Sequence, residues 1–168
     1  MAVLSGHDIL YVAHVSTNRH IRLSANVGTR FPLHATSLGK VLLAFQGDEA
    51  IEAYLKRATL TRFTERTLTD PIALRARLTQ ARAEGFASTL DELDYGLVSV
   101  AVPIFDKDRR VPCAINCSTT TSRISQDELI GARLPLLRQA AREIQSALLK
   151  RPFLAHSLTG SLFFEYRT

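Results

Sequence analysis

The sequence predicts an α+β fold of two layers, in which helices pack on a single antiparallel sheet. The predicted elements run strand, strand, three helices, three strands and a final helix. A parallel sheet needs strands and helices that alternate, and this order lacks that alternation. The 168 residues suit one hydrophobic core, and 46% hydrophobic with 22% charged residues is an ordinary globular composition. We therefore expect one domain over residues 1–150, followed by a tail over residues 151–168.

The first elements are predicted to form a β-hairpin. Residues 9–15 and 20–26 are rich in apolar and β-branched side chains, and the polar residues 16–19 between them favour a turn. Two helices should follow, over about 37–47 and 48–58. Thr36 or Ser37 supplies the side-chain oxygen that caps the first of them.

The third helix has clear start and stop signals. Asp70 can accept free amide protons, Pro71 at the first helical position loses no hydrogen bond, and Gly85 is a typical helix end. We expect the buried stripe of this helix to consist of Ile72, Leu74, Leu78 and Ala81.

Three strands and a terminal helix complete the predicted fold. The strands are expected over residues 86–92, 97–105 and 111–118, with a turn at 106–110. Ser125 and Glu128 fit a capping box that opens the last helix, which Pro135 should kink or divide. Its buried side should carry Leu129, Leu136, Leu137, Ala140, Ile144 and Leu148.

The last two strands contain the most informative pattern. With a period of two, one set of faces is apolar and belongs in a core: Val98, Val100, Val102, Ile104, Val111, Cys113, Ile115 and Cys117. The opposite faces carry small or polar residues, including Ser99, Asn116 and Ser118. Such a face could line a pocket for a small polar molecule, or it could simply pack under a helix.

The predicted helix start at Thr36 and Ser37 could contribute to such a pocket. Free amides and the positive end of the helix dipole favour a carboxylate or phosphate, but an ordinary N-cap is the more common explanation of such residues. Gly39-Lys40 is not a phosphate-binding loop, because that motif needs glycine where His34 stands and Ser or Thr where Val41 stands.

Other features of the sequence exclude several functions. The net charge of +5 is spread among acidic residues on amphipathic helices, so it does not indicate a nucleic-acid surface. Cys113 and Cys117 are expected to be buried thiols, the histidines lack metal-ligand spacing, and no cofactor is indicated.

We expect Asp91, Glu92 and Asp94 to bond to backbone or to pair with arginines. Apolar runs are too short to span a bilayer and no secretion signal is evident, so we expect a cytoplasmic protein.

Several segments together resemble the effector-binding domain of IclR-type bacterial transcriptional regulators, over about residues 3–149. The matching segments are PLHATSLGKVLLA at 32–44, EGFA at 84–87, Glu92 four residues before Gly96, SVAVPIF at 99–105, AINCS at 114–118 and LLRQAAREI at 136–144. Each motif is weak alone, but their joint order is specific. The resemblance implies a GAF-like or profilin-like curved antiparallel sheet with a ligand cavity, and no enzymatic activity.

The resemblance also implies partners. Effector domains of this family form homodimers and often tetramers, and a winged helix-turn-helix domain on their N-terminal side contacts DNA. We expect that domain to be absent from this sequence, so that the chain alone would not bind operator DNA.

The family's ligand-contacting positions fall on eight residues of this chain: Ser37, Leu38, His20, Leu23, Phe31, Ser99, Asn116 and Ser118. Where many members have an acidic residue after the EGFA segment, this chain has Thr89 and Leu90. A contact that depends on that acid is therefore not expected here.

YVAHV at 11–15, VGTR at 27–30 and ATSLG at 35–39 resemble the branch that regulates protocatechuate, 4-hydroxybenzoate and β-ketoadipate catabolism. The resemblance implies an aromatic or dicarboxylic acid as effector, with His14, His20 or Arg22 adding positive charge near its carboxylate. Two alternatives remain open. The chain could be a small enzyme acting on an acid, with Ser99 or Cys113 as nucleophile, or a GAF-like interaction module without a ligand.

Overall fold

A computed structural model describes residues 1–15 and 25–151, and within them six strands form one antiparallel sheet in the order β3-β2-β1-β6-β5-β4. The strands are β1 Ala2–Ser5, β2 Asp8–Tyr11, β3 Arg30–Pro32, β4 Ala87–Leu90, β5 Leu97–Ile104 and β6 Cys113–Thr120. The helices are α1 Ser37–Ala44, α2 Asp48–Arg57, α3 Pro71–Glu84 and α4 Gln126–Leu149. The predicted α+β class is confirmed. None of these helices combines the length and the apolar character that crossing a membrane requires.

The two faces of the sheet differ in side-chain size, and this difference places the helices. The valines of β5 pack with α4 in one buried cluster, which includes Val98, Val100 and Val102. The opposite face presents alanines to α1 and α3, which lets α1 approach the sheet closely. The period-two prediction for β5 is therefore confirmed, and the small-residue face lies under α1.

The predicted helix ends are present. Thr36 caps α1 by accepting from the Gly39 amide, and the Asp70 carboxylate accepts from the amides of Ile72 and Ala73. Gly85 ends α3 with φ of 71°, a left-handed conformation that glycine adopts without strain. Ser125 and Glu128 form the predicted capping box of α4.

The N-terminal hairpin was predicted in the wrong place. β1 and β2 form it instead, around Gly6 with φ of 62°. The predicted strand at 20–26 lies mostly outside the described residues, and Ala25 and Asn26 are not in a strand. β3 has three residues and ends at Pro32, and the sequence analysis predicts no strand there. Strands of three or four residues carry too few positions for a period to show.

Three predicted core assignments need correction, and one of the two effects predicted for Pro135 is absent. Ile72 is 80% exposed and Leu136 is 55% exposed, because each lies two residues, about 200° around a helix, from a buried leucine of its own helix. Val111 precedes β6 and packs in the cluster with α1 rather than beside Cys113. Pro135 does not divide α4, which is one helix from Gln126 to Leu149.

Candidate functional site

A chain of three buried hydroxyl groups joins the sheet to the start of α1. The Ser99 hydroxyl donates to Ser37 Oγ at 2.7 Å, and Thr89 Oγ1 lies 2.8 Å from Ser99 Oγ. Thr89 and Ser99 are paired across β4 and β5, so their side chains share one face. All three residues are at most 5% exposed. The predicted site residues Ser37 and Ser99 are therefore in direct contact.

A second polar group lies on the same face. Ser118 is paired with Ser99 and Asn116 with Ala101, and the Asn116 side-chain amide donates to Ser118 Oγ at 2.7 Å. A side-chain hydrogen bond also joins Asn116 to the Tyr11 phenol. Burial raises the pKa of Tyr11, and the bond to Asn116 opposes part of that effect. Tyr11 therefore remains a neutral phenol at physiological pH.

Aromatic side chains extend this face towards the β2–β3 edge. The rings of Tyr11 and Phe31 meet edge to face with centroids 6.1 Å apart, and the His14 ring lies 6.3 Å from Tyr11 on another side. Phe31 is half-buried, whereas His14 is exposed. Edge-to-face rings of this kind form an aromatic wall on the same face of the sheet as Asn116 and Ser118.

The start of α1 has backbone donors without acceptors. The Gly39 amide donates to Thr36 Oγ1 and the Lys40 amide to the Thr36 carbonyl. In the hydrogen bonds of residues 1–15 and 25–151, the amides of Ser37 and Leu38 have no such partner. Both residues are 1% exposed, so these donors are shielded from solvent and have no acceptor within the described part of the chain.

Because Gly39 has no side chain, the Leu33 backbone can pass close to the start of α1. A Cβ atom there would lie 2.2 Å from the Leu33 carbonyl oxygen, well inside contact distance. Only glycine allows the Leu33 backbone to cross α1 so closely. The glycine of the Gly39-Lys40 pair thus serves packing, as its lack of a phosphate-loop context had indicated.

Lys40 forms a buried ion pair directly behind the helix start. Its Nζ lies 2.6 Å from Glu92 Oε2 and donates to the His34 carbonyl at 2.7 Å, and the lysine side chain is 0% exposed. Burial lowers the pKa of Lys40 and the Glu92 carboxylate opposes this shift. The prediction that Glu92 pairs with arginine or backbone is wrong for its side chain, since the partner is lysine. Asp91 does bond to the Gly96 amide at 2.7 Å.

The loop before α3 is attached to the same region. Thr67 donates to the Glu92 carbonyl at 2.7 Å, and Thr64 donates to the Asp91 carbonyl. His34 Nε2 lies 2.9 Å from the Thr61 carbonyl, so this nitrogen carries the ring proton. Burial lowers the pKa of His34, which keeps the ring neutral. These contacts join the loop to the residues that follow β4 and to His34, which precedes α1.

The structure offers no assembled nucleophile and base among the described residues. Ser99 contacts only hydroxyl groups, neither of which can accept its proton as a base. Burial raises the pKa of the Cys113 thiol to about 11, so its reactive thiolate is disfavoured at neutral pH. Both cysteines are free thiols, and within residues 1–15 and 25–151 no group of acidic, histidine or cysteine side chains could hold a metal ion.

The predicted ligand positions divide into two groups. Six of them belong to α1 or to the sheet face that α1 covers: Ser37 and Leu38 on α1, Phe31 on β3, Ser99 on β5, and Asn116 and Ser118 on β6. His20, Arg22 and Leu23 lie outside the described residues. A surface depression elsewhere, along α2, contains none of these positions.

Sequence reasoning missed two members of the site, Tyr11 and Thr89. Tyr11 alternates with Ile9 on β2, so its face could be read from the period, but not its nearness to Asn116. Thr89 was noted only as a departure from an acidic position.

The geometry of the groups between α1 and the sheet indicates a class of protein. Hydroxyl and amide donors converge beside an aromatic wall, and nucleophilic chemistry is not assembled there. Such a set of groups is typical of sites that bind and orient a small molecule with hydrogen-bond acceptors.

Comparison with known proteins identifies the family. Residues 1–146 match the family model described as the bacterial transcriptional regulator IclR C-terminal domain. The Pca regulon regulatory protein of Pseudomonas putida is 43% identical over 145 residues, which cover 86% of this chain and 50% of that protein. The chain thus belongs to the IclR family of transcriptional regulators and corresponds to its C-terminal, effector-binding domain. It spans about half the length of the curated relatives it matches.

Solved structures agree with this assignment. The inducer-binding domain of an Acinetobacter PobR double mutant, in complex with 3-hydroxybenzoic acid, aligns with a TM-score of 0.79 at 32% identity and covers 86% of this chain and 85% of that one. An IclR homologue from Microbacterium hydrocarbonoxydans in complex with 4-hydroxybenzoate aligns with a TM-score of 0.76 at 29% identity, covering 88% and 58%.

Proposed function

We propose that this domain senses an aromatic or dicarboxylic acid of aromatic catabolism and binds it without turnover. The observation that carries the proposal is the convergence of donors at the α1 start, where the Ser37 and Leu38 amides are buried and have no acceptor among residues 1–15 and 25–151. Leaving a buried donor unpaired costs roughly 1–3 kcal/mol, so this region favours an acceptor such as a carboxylate. The dipole of α1 adds to that preference.

The aromatic wall supports a ring-bearing acid in particular. A benzoate-type ligand could place its ring against Phe31 and Tyr11 while its carboxylate meets Ser37. Tyr11 and Ser118 then offer hydroxyl groups to a ring substituent. The relatives that were solved with hydroxybenzoates contain ligands of this shape. His14, His20 and Arg22 are the proposed sources of additional positive charge.

As a regulator, the domain would work through its assembly. We place it in a homodimer or tetramer that has two arrangements of its subunits. The two arrangements differ in their affinity for the effector, so that effector binding shifts the population towards one of them. DNA contact would belong to a helix-turn-helix domain on the N-terminal side of residues 1–150. Since such a regulator acts on the chromosome, we place the chain in the cytoplasm.

Isothermal titration calorimetry tests the binding proposal. Purified chain is titrated with 4-hydroxybenzoate, protocatechuate and adipate, and with glucose and alanine as controls. Ser118→Ala and Asn116→Ala should weaken binding of the acid by about two- to tenfold, since a neutral hydrogen bond contributes about 0.5–1.5 kcal/mol. Ser146→Ala, on the exposed side of α4, should leave affinity unchanged.

Three outcomes count against the proposal. Binding of the sugar or the amino acid with no binding of any acid would contradict the ligand class. Unchanged affinity in both β6 variants would contradict the site. Conversion of an acid to a product during incubation would favour the alternative of a small enzyme with Ser99 or Cys113 as nucleophile.

A further inference from the structure

The three hydroxyl groups that join β4, β5 and α1 have a fixed direction. A hydroxyl group carries one proton, and Ser99 gives its proton to Ser37 Oγ at 2.7 Å. Ser99 therefore has none left for Thr89, whose Oγ1 lies 2.8 Å away. Thr89 must donate to Ser99, and the chain runs from Thr89 through Ser99 to Ser37.

This direction determines what Ser37 can offer. Its oxygen already accepts from Ser99, and its own proton has no acceptor in the hydrogen bonds of residues 1–15 and 25–151. Ser37 is 1% exposed, so water does not readily satisfy that proton. The neighbouring Ser37 and Leu38 amides are donors of the same kind. The start of α1 thus presents three donors, the two amides and the Ser37 hydroxyl, and Ser37 Oγ keeps one further lone pair.

We infer that Thr89 is a specificity-determining residue, which makes Ser37 a hydrogen-bond donor and so selects a carboxylate over a carboxamide. This inference rests on the proposed function. A carboxylate accepts with both oxygens, whereas a carboxamide turns an NH₂ donor towards one of the site's donors. Thr89 acts through Ser99 and does not itself touch the ligand.

The role of Thr89 follows from what its removal permits. Without the Thr89 proton, the bond between Ser99 and Ser37 can reverse, because Ser99 oxygen no longer has a donor to accept from. Ser37 would then give its proton to Ser99 and could no longer donate to the ligand, so its oxygen could only accept there, for example from the NH₂ group of a carboxamide. Bonds in such a chain also strengthen one another when they all point the same way. Burial of Thr89 and Ser99, at 4% and 5% exposure, keeps competing water away.

The measurement is a ratio of dissociation constants, for 4-hydroxybenzamide over 4-hydroxybenzoate, obtained by calorimetry at pH 7.5 on the purified chain. The wild type should bind the acid well over tenfold more tightly. Thr89→Val, which keeps the shape and removes the hydroxyl, should lower this ratio by about tenfold, the size of one hydrogen bond of about 1.4 kcal/mol. Thr89→Ser, which keeps the hydroxyl, should restore it.

The control is Thr119→Val, the same change on β6. Thr119 is paired with Val98, and its side chain lies on the α4 face of the sheet. This variant should keep the wild-type ratio. If Thr89→Val does not fold, as shown by circular dichroism, Thr89→Ala removes the same proton and replaces it in the test.

The outcomes separate two failures. Tight acid binding with an unchanged ratio in the Thr89 variants would overturn the inference and leave the proposed function standing. Equal weakening of both ligands would do the same, because it indicates a purely structural role. If wild type binds neither compound nor any other acid, the proposed function fails and this inference fails with it.

Discussion

Replacing Lys40 by methionine should destabilise the domain more than most single substitutions. The lysine side chain is 0% exposed and Glu92 is 10% exposed, so the pair is almost fully removed from water. Lys40→Met fills a similar volume but removes both the ion pair and the bond to the His34 carbonyl. The Glu92 carboxylate is then left buried without a counter-charge.

The expected size follows from that burial. Breaking a buried pair by removing one partner typically costs about 3–5 kcal/mol, because the remaining charge stays desolvated. A domain of this size has a free energy of unfolding of about 5–15 kcal/mol, so the loss is a large part of the total. Replacing both partners in Lys40→Met/Glu92→Leu should cost less than the sum of the two single changes, since no unpaired charge remains.

Urea unfolding followed by circular dichroism measures all four chains of this double-mutant cycle. A coupling free energy of about 2 kcal/mol or more is expected between the two sites. Arg75→Met is the matched control, because Arg75 pairs with Glu52 on the surface with both side chains 44% exposed. It should change stability by less than about 1 kcal/mol. A loss below 1 kcal/mol for Lys40→Met, or strict additivity, would refute the reasoning.

Three further predictions concern the same framework. Gly39→Ala should lower the unfolding free energy by about 2 kcal/mol or more in urea titrations, because its Cβ would overlap the Leu33 backbone. Gly131→Ala, in open space on α4, should instead stabilise by about 0.5–1 kcal/mol. A similar loss for both would contradict the packing argument. Asp70→Ala should cost about 1 kcal/mol by thermal unfolding, because α3 loses the acceptor for two amides, and an unchanged melting temperature would count against it. Burial holds the pKa of His34 below its ordinary value of 6.5, so the unfolded chain binds the extra proton as the pH falls and stability decreases below about pH 6.5. His34→Gln should remove that part of the pH dependence, and identical profiles would exclude His34 as its source.

The sequence was most informative where a period extends over many residues. The eight residues of β5 alternate so regularly that both faces could be assigned, and the structure confirms the valine face against α4. Helix caps were equally predictable, since Asp70-Pro71 and Gly85 act through local backbone chemistry. Ile72 and Leu136 were misassigned because apolar character alone does not define a stripe. The angle between neighbouring positions on a helix decides which of two nearby residues is buried.

Contacts between distant segments could not be read from a period. Lys40 and Glu92 are 52 residues apart, and no local pattern links them. One signal was nevertheless present. The sequence of α1, SLGKVLLA, is mostly apolar with the lysine as its single charged residue, which indicates a helix that is buried on all sides. A lysine enclosed in that way needs a buried anion as its partner. The acidic cluster at 91–94, at the end of a predicted strand, was a candidate for that anion.

The missing strand β1 explains why Tyr11 was overlooked as a site residue. β1 lies between β2 and β6 in the sheet, with Ala2 opposite both Tyr11 and Ala114. Without β1, a hairpin formed by residues 9–26 has no defined neighbour, and Tyr11 cannot be placed near Asn116. Once β1 is present, antiparallel pairing puts Tyr11, Ala2 and Ala114 on one face, which β6 continues to Asn116 and Ser118. The four-residue strand β1 therefore determines which polar side chains of β2 and β6 come together. The order of strands in the sheet, as well as the residue types, decides the composition of the site.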